Sequence, residues 1–282
     1  MPSELLTPTA DEIAWAGQSQ TVKVSAGDFE DYERILKDPR NSPLSVMQVE
    51  RQQRNDCQGN ATANGEEYRS WVVSGRRTMP VLSEMYAYNA SEYLMSPQYV
   101  GRDSGTSMHS GVRLLTEGIP RLGVKPGVAT EANWPYAQYY RSASQFEQAA
   151  RKVEIVSSHV TEHGPLPSWE GMLAAVAAGG TGHIGTYWSV RWSNLNGRRL
   201  MDTLPTGGGG HATEIIWAEQ VQGRWYLCVW NSHGDGYYYM SQRCYEQILA
   251  RRGEPFGCFV LMPDRAQERY YDRQSQGGGY FA

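Results

Sequence analysis

Residues 207–217 read GGGGHATEIIW. Four glycines stand directly before His211, one of six histidines in the chain, and the apolar run behind it predicts a buried strand. The glycines allow a neighbouring element or a substrate to come close without meeting a Cβ atom. The stretches around it share its character. HIGTYWSVRW (183–192), GRWYLCVWNS (223–232), GYYYMS (236–241) and CFVLM (258–262) are rich in β-branched and aromatic residues and are separated by Gly, Asn and Asp. This pattern predicts strands and turns.

Upstream the language is helical. NATANGEEYRSWVVSG (60–75) predicts a helix with Ala61 and Ala63 in its first turn, and VLSEMYAYNASEYLM (81–95) a second, stopped by Pro97. SGVRLLTEGI (110–119), ASQFEQAARKV (143–153) and SWEGMLAAVAAGG (168–180) follow, the last capped by Ser168 and ended by paired glycines. Helices first and strands last argue for an α+β protein over alternating βαβ units. The expected organisation is a lead-in arm over 1–50 with one short strand in QTVKVSAG (20–27). A main domain over 51–263 follows, helical to about 178 and β-rich from 179, and a Gly-rich tail occupies 264–282.

With 26 basic against 30 acidic residues, no global field attracts nucleic acid or an anionic membrane, so neither is expected as a partner. No apolar run approaches the roughly 20 residues of a membrane-spanning helix. The N-terminus carries acids where a secretion signal carries bases. The cysteines, Cys57, Cys228, Cys244 and Cys258, form no C-x-x-C pair, and the histidines form no H-E-x-x-H, so no metal and no cofactor is implied. Tyr and Trp are abundant, 18 and 9, and suit a wet groove or an interface. Arm and tail are the segments through which a homo-oligomer or larger protein assembly is expected.

Three groups stand out chemically. Cys57, in RQQRNDCQGNATA (51–63), lies where a polar loop feeds a helix, and a helix N-terminus together with a nearby imidazole stabilises a thiolate. His211 is the candidate imidazole, 154 residues on. Asn231, a further 20 residues on in VWNSHGDG (229–236), has an amide oxygen able to accept the imidazole N–H and fix its tautomer. Trp217, Trp230 or Tyr237 could shelter that bond, and Trp217, Trp230 and His233 are the candidates for supporting the cleft.

The order Cys, glycine-preceded His-Ala, then Asn-Ser-x-Gly resembles the papain-like cysteine peptidases. SPQYVGRDSGTSMHSGVRLLTEGIPRLGV (96–124) with EANWPY (131–136) is similar to the family's segment of glycine-rich turn, short helix and Trp-Pro-Tyr, which marks Trp134, Pro135 and Tyr136 as structural. GMLAAVAAGGTGHIGTYWS (171–189) is similar to the helix and strand that precede the histidine strand, and RWSNLNGRRLMDTLPTG (191–207) reads as an insertion. The resemblance implies a helical subdomain packed against an antiparallel β-rich one, with a cleft between them. Across it, Cys57, His211 and Asn231 would act on a polypeptide substrate. The family's oxyanion-donating Gln, six residues before the nucleophile, is replaced by Arg51, so Gln52, Gln53 or Arg51 is the candidate donor. Gln58 and His233 stand where relatives carry aromatic residues. Polar nucleophile loops of this kind occur in bacterial and tailed-phage members. The resemblance therefore implies a bacterial cytoplasmic or virion setting, and a structural module with weakened catalysis is the alternative to a peptidase.

Overall fold

The computed structural model describes residues 5–16, 22, 26–48, 51–251 and 254–263. The tail 264–282 and most of the stretch 20–27, where a short strand is expected, lie outside them. The described part of the lead-in carries two helices, α1 (Ala10–Ala16) and α2 (Ala26–Lys37). Two single 3₁₀ turns then follow over the Pro-rich LKDPRNSP, capped by Asp38 and Ser42.

Helix α3 (Cys57–Val73) is the axis of the molecule, and every one of its residues is buried. It starts at Cys57, so Ala61 and Ala63 fall in its second turn, one turn later than expected. Small residues let its neighbours close in. A Cβ on Gly59 would lie 2.6 Å from the Glu84 carbonyl oxygen and 2.9 Å from the Tyr88 amide nitrogen, in the next helix. Backbone cannot move aside as a flexible side chain can, so Gly59→Ala is expected to cost about 1–3 kcal/mol, read as a lowered urea midpoint at unchanged m-value.

The next helix, α4 (Glu84–Met95), is capped by the Ser83 hydroxyl, which accepts from the Tyr86 N–H at 3.0 Å. α5 (Met108–Thr116) is capped in the same way by Ser107. A short antiparallel ribbon of β1 (Gly127–Ala129) and β2 (Ile155–Ser157) flanks α6 (Ala143–Ala150) in sequence. Trp134 is fully buried edge-to-face against Tyr86, Tyr140 and Phe146, which gives the Trp-Pro-Tyr segment its anchor.

The second half opens with β3 (Val160–Pro165) and α7 (Trp169–Ala177), followed by β4 (Thr181–Tyr187), β5 (Ser193–Leu195), β6 (Arg198–Met201), β7 (Gly210–Val221), β8 (Arg224–Asn231) and β9 (Gly236–Met240). α8 (Gln242–Ala250) and β10 (Cys258–Pro263) close it. The strands form one sheet in the order β3-β10-β4-β7-β8-β9-β6-β5, antiparallel throughout except for the β6–β9 pair. The stretch 191–207 is thus more than a loop, since its hairpin extends the sheet edge. α+β segregation into a helical and a sheet-rich region holds. The elements that the pattern analysis missed are short or polar. β3 reads VTEHGP and shows no apolar alternation.

Two apolar cores result. One joins the sheet to α2, α7 and α8. The other joins α3, α4 and α5 to β10 and includes Leu5, Cys57 and Ala212. Charged groups bridge α3 and the sheet. Buried Arg69 lies 3.1 Å from Glu66 and 3.7 Å from Glu214 and donates to Thr181, while Glu214 meets His183 Nδ1 at 2.6 Å. Glu66 also accepts from the backbone N–H of His159 at 2.8 Å. Among the described residues, no helix is long and apolar enough to cross a membrane.

Candidate active site

Cys57 opens α3 behind Asp56 and is buried in the same apolar core as Ala212, the residue after His211. The helix start and the histidine strand therefore share one core. The loop leading into it is tied down from the helical side. The Tyr136 hydroxyl accepts from the Gln53 N–H at 2.8 Å and donates to the Asp56 carboxylate, and Asn55 bonds to Asp103. Gln58 points inward, donating to Thr62 at 2.6 Å and accepting from Thr106 at 2.9 Å. That pairing accounts for a polar side chain at this buried position.

His211 Nε2 lies 2.9 Å from Asn231 Oδ1. Since a carbonyl oxygen only accepts, Nε2 carries the proton. The amide orientation is fixed from behind, because Asn231 Nδ2 donates to Asp235 at 2.8 Å and Asp235 is held by Arg199. Asp235 and Arg199 are therefore part of the arrangement, although the sequence offered only turn chemistry for the first and nothing for the second. His211 Nδ1 is buried and makes no hydrogen bond.

Trp188 covers the imidazole, with ring centroids 4.2 Å apart, and His233 stacks on it at 4.3 Å. Trp192 and Tyr238 pack behind Trp188. Of the three candidates for supporting the cleft, His233 is the one whose ring stacks on His211. Trp230 stacks with Tyr237, and Trp217 sits in the sheet core. The position of Trp188 follows from sheet register. Tyr187 pairs with Gly210, and the Trp188 N–H donates to the Gly209 carbonyl, which brings the next ring over His211.

The space left at Gly210 is filled by the chain's own N-terminal arm. The Leu5 N–H donates to the Gly210 carbonyl at 3.0 Å, and the Leu6 N–H donates to the Thr106 carbonyl at 2.9 Å, so the arm spans from the sheet to the helical side beside the thiol. A Cβ on Gly210 would strike the Leu5 carbonyl oxygen and Phe256, both at 2.7 Å. Leu5 is buried in the same core as Cys57, Met108, Ala212 and Phe256. The arm is anchored further along. Buried Glu12 accepts from Ser107 at 2.5 Å, and Trp15 stacks on His163 and donates to Glu117.

Covering the site sets its charge. Burial pushes the Cys57 thiol up to about 12, with the Asp56 carboxylate adding to the rise and the Ala212 N–H opposing it. Burial first, and His233 second, push His211 down to about 3. In this buried form both the Cys57 thiol and the His211 imidazole are held neutral, against the thiolate expected from the helix N-terminus.

The three candidate oxyanion donors differ in placement. Arg51 and Gln53 are exposed. Gln52 is half-buried, accepts from the Ser232 hydroxyl at 2.5 Å, and donates its side-chain N–H to the Arg54 carbonyl at 3.0 Å. Its backbone N–H donates to the Ser232 carbonyl, so the nucleophile loop is laced to the residue after Asn231.

This architecture is the papain-like cysteine-protease fold. The chain superposes on proCathepsin B S9 from Trypanosoma congolense with a TM-score of 0.56 at 14% identity, over 92% of this chain and 87% of that one. It superposes on recombinant stem bromelain precursor with a TM-score of 0.53 at 16% identity, over 93% and 75%. For the proform of Amb a 11, a ragweed pollen cysteine protease, the TM-score is 0.53 at 14% identity, over 93% and 77%. No family model matches the sequence, and neither does any curated protein.

Proposed function

We propose that this chain is a thiol-dependent amide hydrolase acting on polypeptides, held closed by its own N-terminal arm. The observation that carries the reading is the His211 Nε2–Asn231 Oδ1 bond, which leaves His211 Nδ1 buried and unpaired, while Cys57 and the neighbouring Ala212 lie in one core. With the arm withdrawn, Nδ1 takes the Cys57 proton and the thiolate adds to the amide carbonyl carbon. The tetrahedral oxyanion is met by the backbone N–H groups at the start of α3 and by Gln52, whose amide has a second N–H beyond the one given to Arg54. Collapse expels the amine, which takes its proton from His211. Water activated by His211 then hydrolyses the thioester and restores the thiol. Asn231 keeps the ring in the working tautomer throughout.

Burial of Leu5 against the cleft supports the closed resting state, as does the precursor or proform nature of all three compared structures. A second reading is a structural module of a phage virion or other oligomeric assembly. It is favoured by Arg51 at the usual donor position and by the engagement of the Gln52 amide. A peptidyl vinyl sulfone separates the two. Covalent addition mapped to Cys57 by mass spectrometry, on full-length chain whose arm is displaced by Leu5→Asp, supports the hydrolase. Absence of addition in that chain supports the structural module.

A further inference from the structure

His233 sits where its charge acts on the base directly. Its ring is stacked on His211 at 4.3 Å with an interplanar angle of 24°, and Trp188 closes over both, lying 5.3 Å from His233. The pair therefore shares one apolar lid, although His233 is half-exposed and able to exchange protons with water while His211 is fully buried. We propose that His233 is a proton-operated brake on His211: when protonated it opposes the imidazolium that His211 must form, and when neutral it serves as a flat cover. This inference rests on reading His211 as the base.

Charged groups on neighbouring elements act on this ring. His211 faces it from β7, and the partly exposed Asp235 lies on its own turn. Arg199 of β6 is paired with that Asp235. The nucleophile loop contributes Arg51, bridged to His233 through backbone. Asp235 favours the cation and Arg199 opposes it, whereas burial lowers the pKa of His233 below the ordinary histidine value. The sign follows directly. Above its lowered pKa His233 is neutral and His211 is free to accept a proton; as pH falls through that lowered pKa, a cation appears against His211 and proton transfer from Cys57 is suppressed. An aromatic hydrocarbon in the same seat covers the base equally well but applies no such brake.

Imidazole ¹⁵N shifts of His211, followed against pH by NMR in the full-length Leu5→Asp chain with and without His233→Phe, test the proposal. The expected result is a His211 midpoint about one unit higher in the His233→Phe chain. A His211 midpoint unchanged in both His233→Phe and His233→Gln overturns the brake. Hydrolysis on the same samples keeps the two readings apart. A moved midpoint without hydrolysis sustains the coupling and removes the hydrolase, whereas an unmoved midpoint with hydrolysis intact removes only the brake.

Discussion

Alanine at position 57 lowers peptide hydrolysis by the Leu5→Asp chain at least about 10³-fold and abolishes addition of a cysteine-directed electrophile. Both follow from one sulfur. Without it the oxyanion donors and the binding groove persist, and what they retain is the small residual rate that positioning alone supplies. The other thiols do not substitute. Cys228, Cys244 and Cys258 are all buried, and burial pushes Cys244 and Cys258 up to about 12. Cys57 is also packed in a core, so stability is measured alongside, and a loss of about 1 kcal/mol is the expected cost of one missing sulfur. Rates that survive the substitution would end the nucleophile assignment.

Leu5→Asp raises the alkylation rate of Cys57 at neutral pH by about 100-fold over the parent chain. The leucine seat is lined by Met108, Gly185, Gly210 and Phe256, and a carboxylate there is an unpaired buried charge. The backbone bonds from residues 5 and 6 to Gly210 and Thr106 are too few to hold this end of the arm, whereas Glu12 and Trp15 stay anchored to Ser107, Glu117 and His163. Once this end lifts, water reaches Cys57, and the burial that drives its pKa to about 12 is relieved. Each unit recovered toward the ordinary thiol value gives tenfold more thiolate at neutral pH, so two units give the stated factor. Iodoacetamide kinetics with site mapping provides the measurement. Equal rates in Leu5→Asp and parent would show that the arm does not close the site.

What could be read from the sequence and what could not divide along one physical line. Cys57, His211 and Asn231 each sit where a local signal is strong: a polar loop entering a helix of small residues, a glycine run before a strand, and an Asn-Ser-x-Gly turn after one. Local patterns also gave the main helices and the central strands. Trp188, Leu5, Asp235 and Arg199 belong to the same neighbourhood through register and long-range packing, and none has a local pattern that points there. Trp230 and Trp217 show the converse. They lie close to Asn231 and His211 in sequence, yet strand alternation and the bulge between Ile215 and Trp217 send them to other surroundings. The run GGGGH signalled room without naming its occupant, and the occupant comes from the far end of the chain.

The charged bridge between α3 and the sheet bears on how accurately the two halves can be aligned. Apolar surfaces tolerate small slides and rotations at little cost, whereas a buried guanidinium has few positions in which Glu66, Glu214 and Thr181 are met together. Arg69 lies on the same rod as Cys57, and Glu214 lies three residues along the same strand from His211. The ion pairs thus act as a vernier, clocking the phase of the sulfur-bearing rod against the imidazole-bearing strand from a point remote from both.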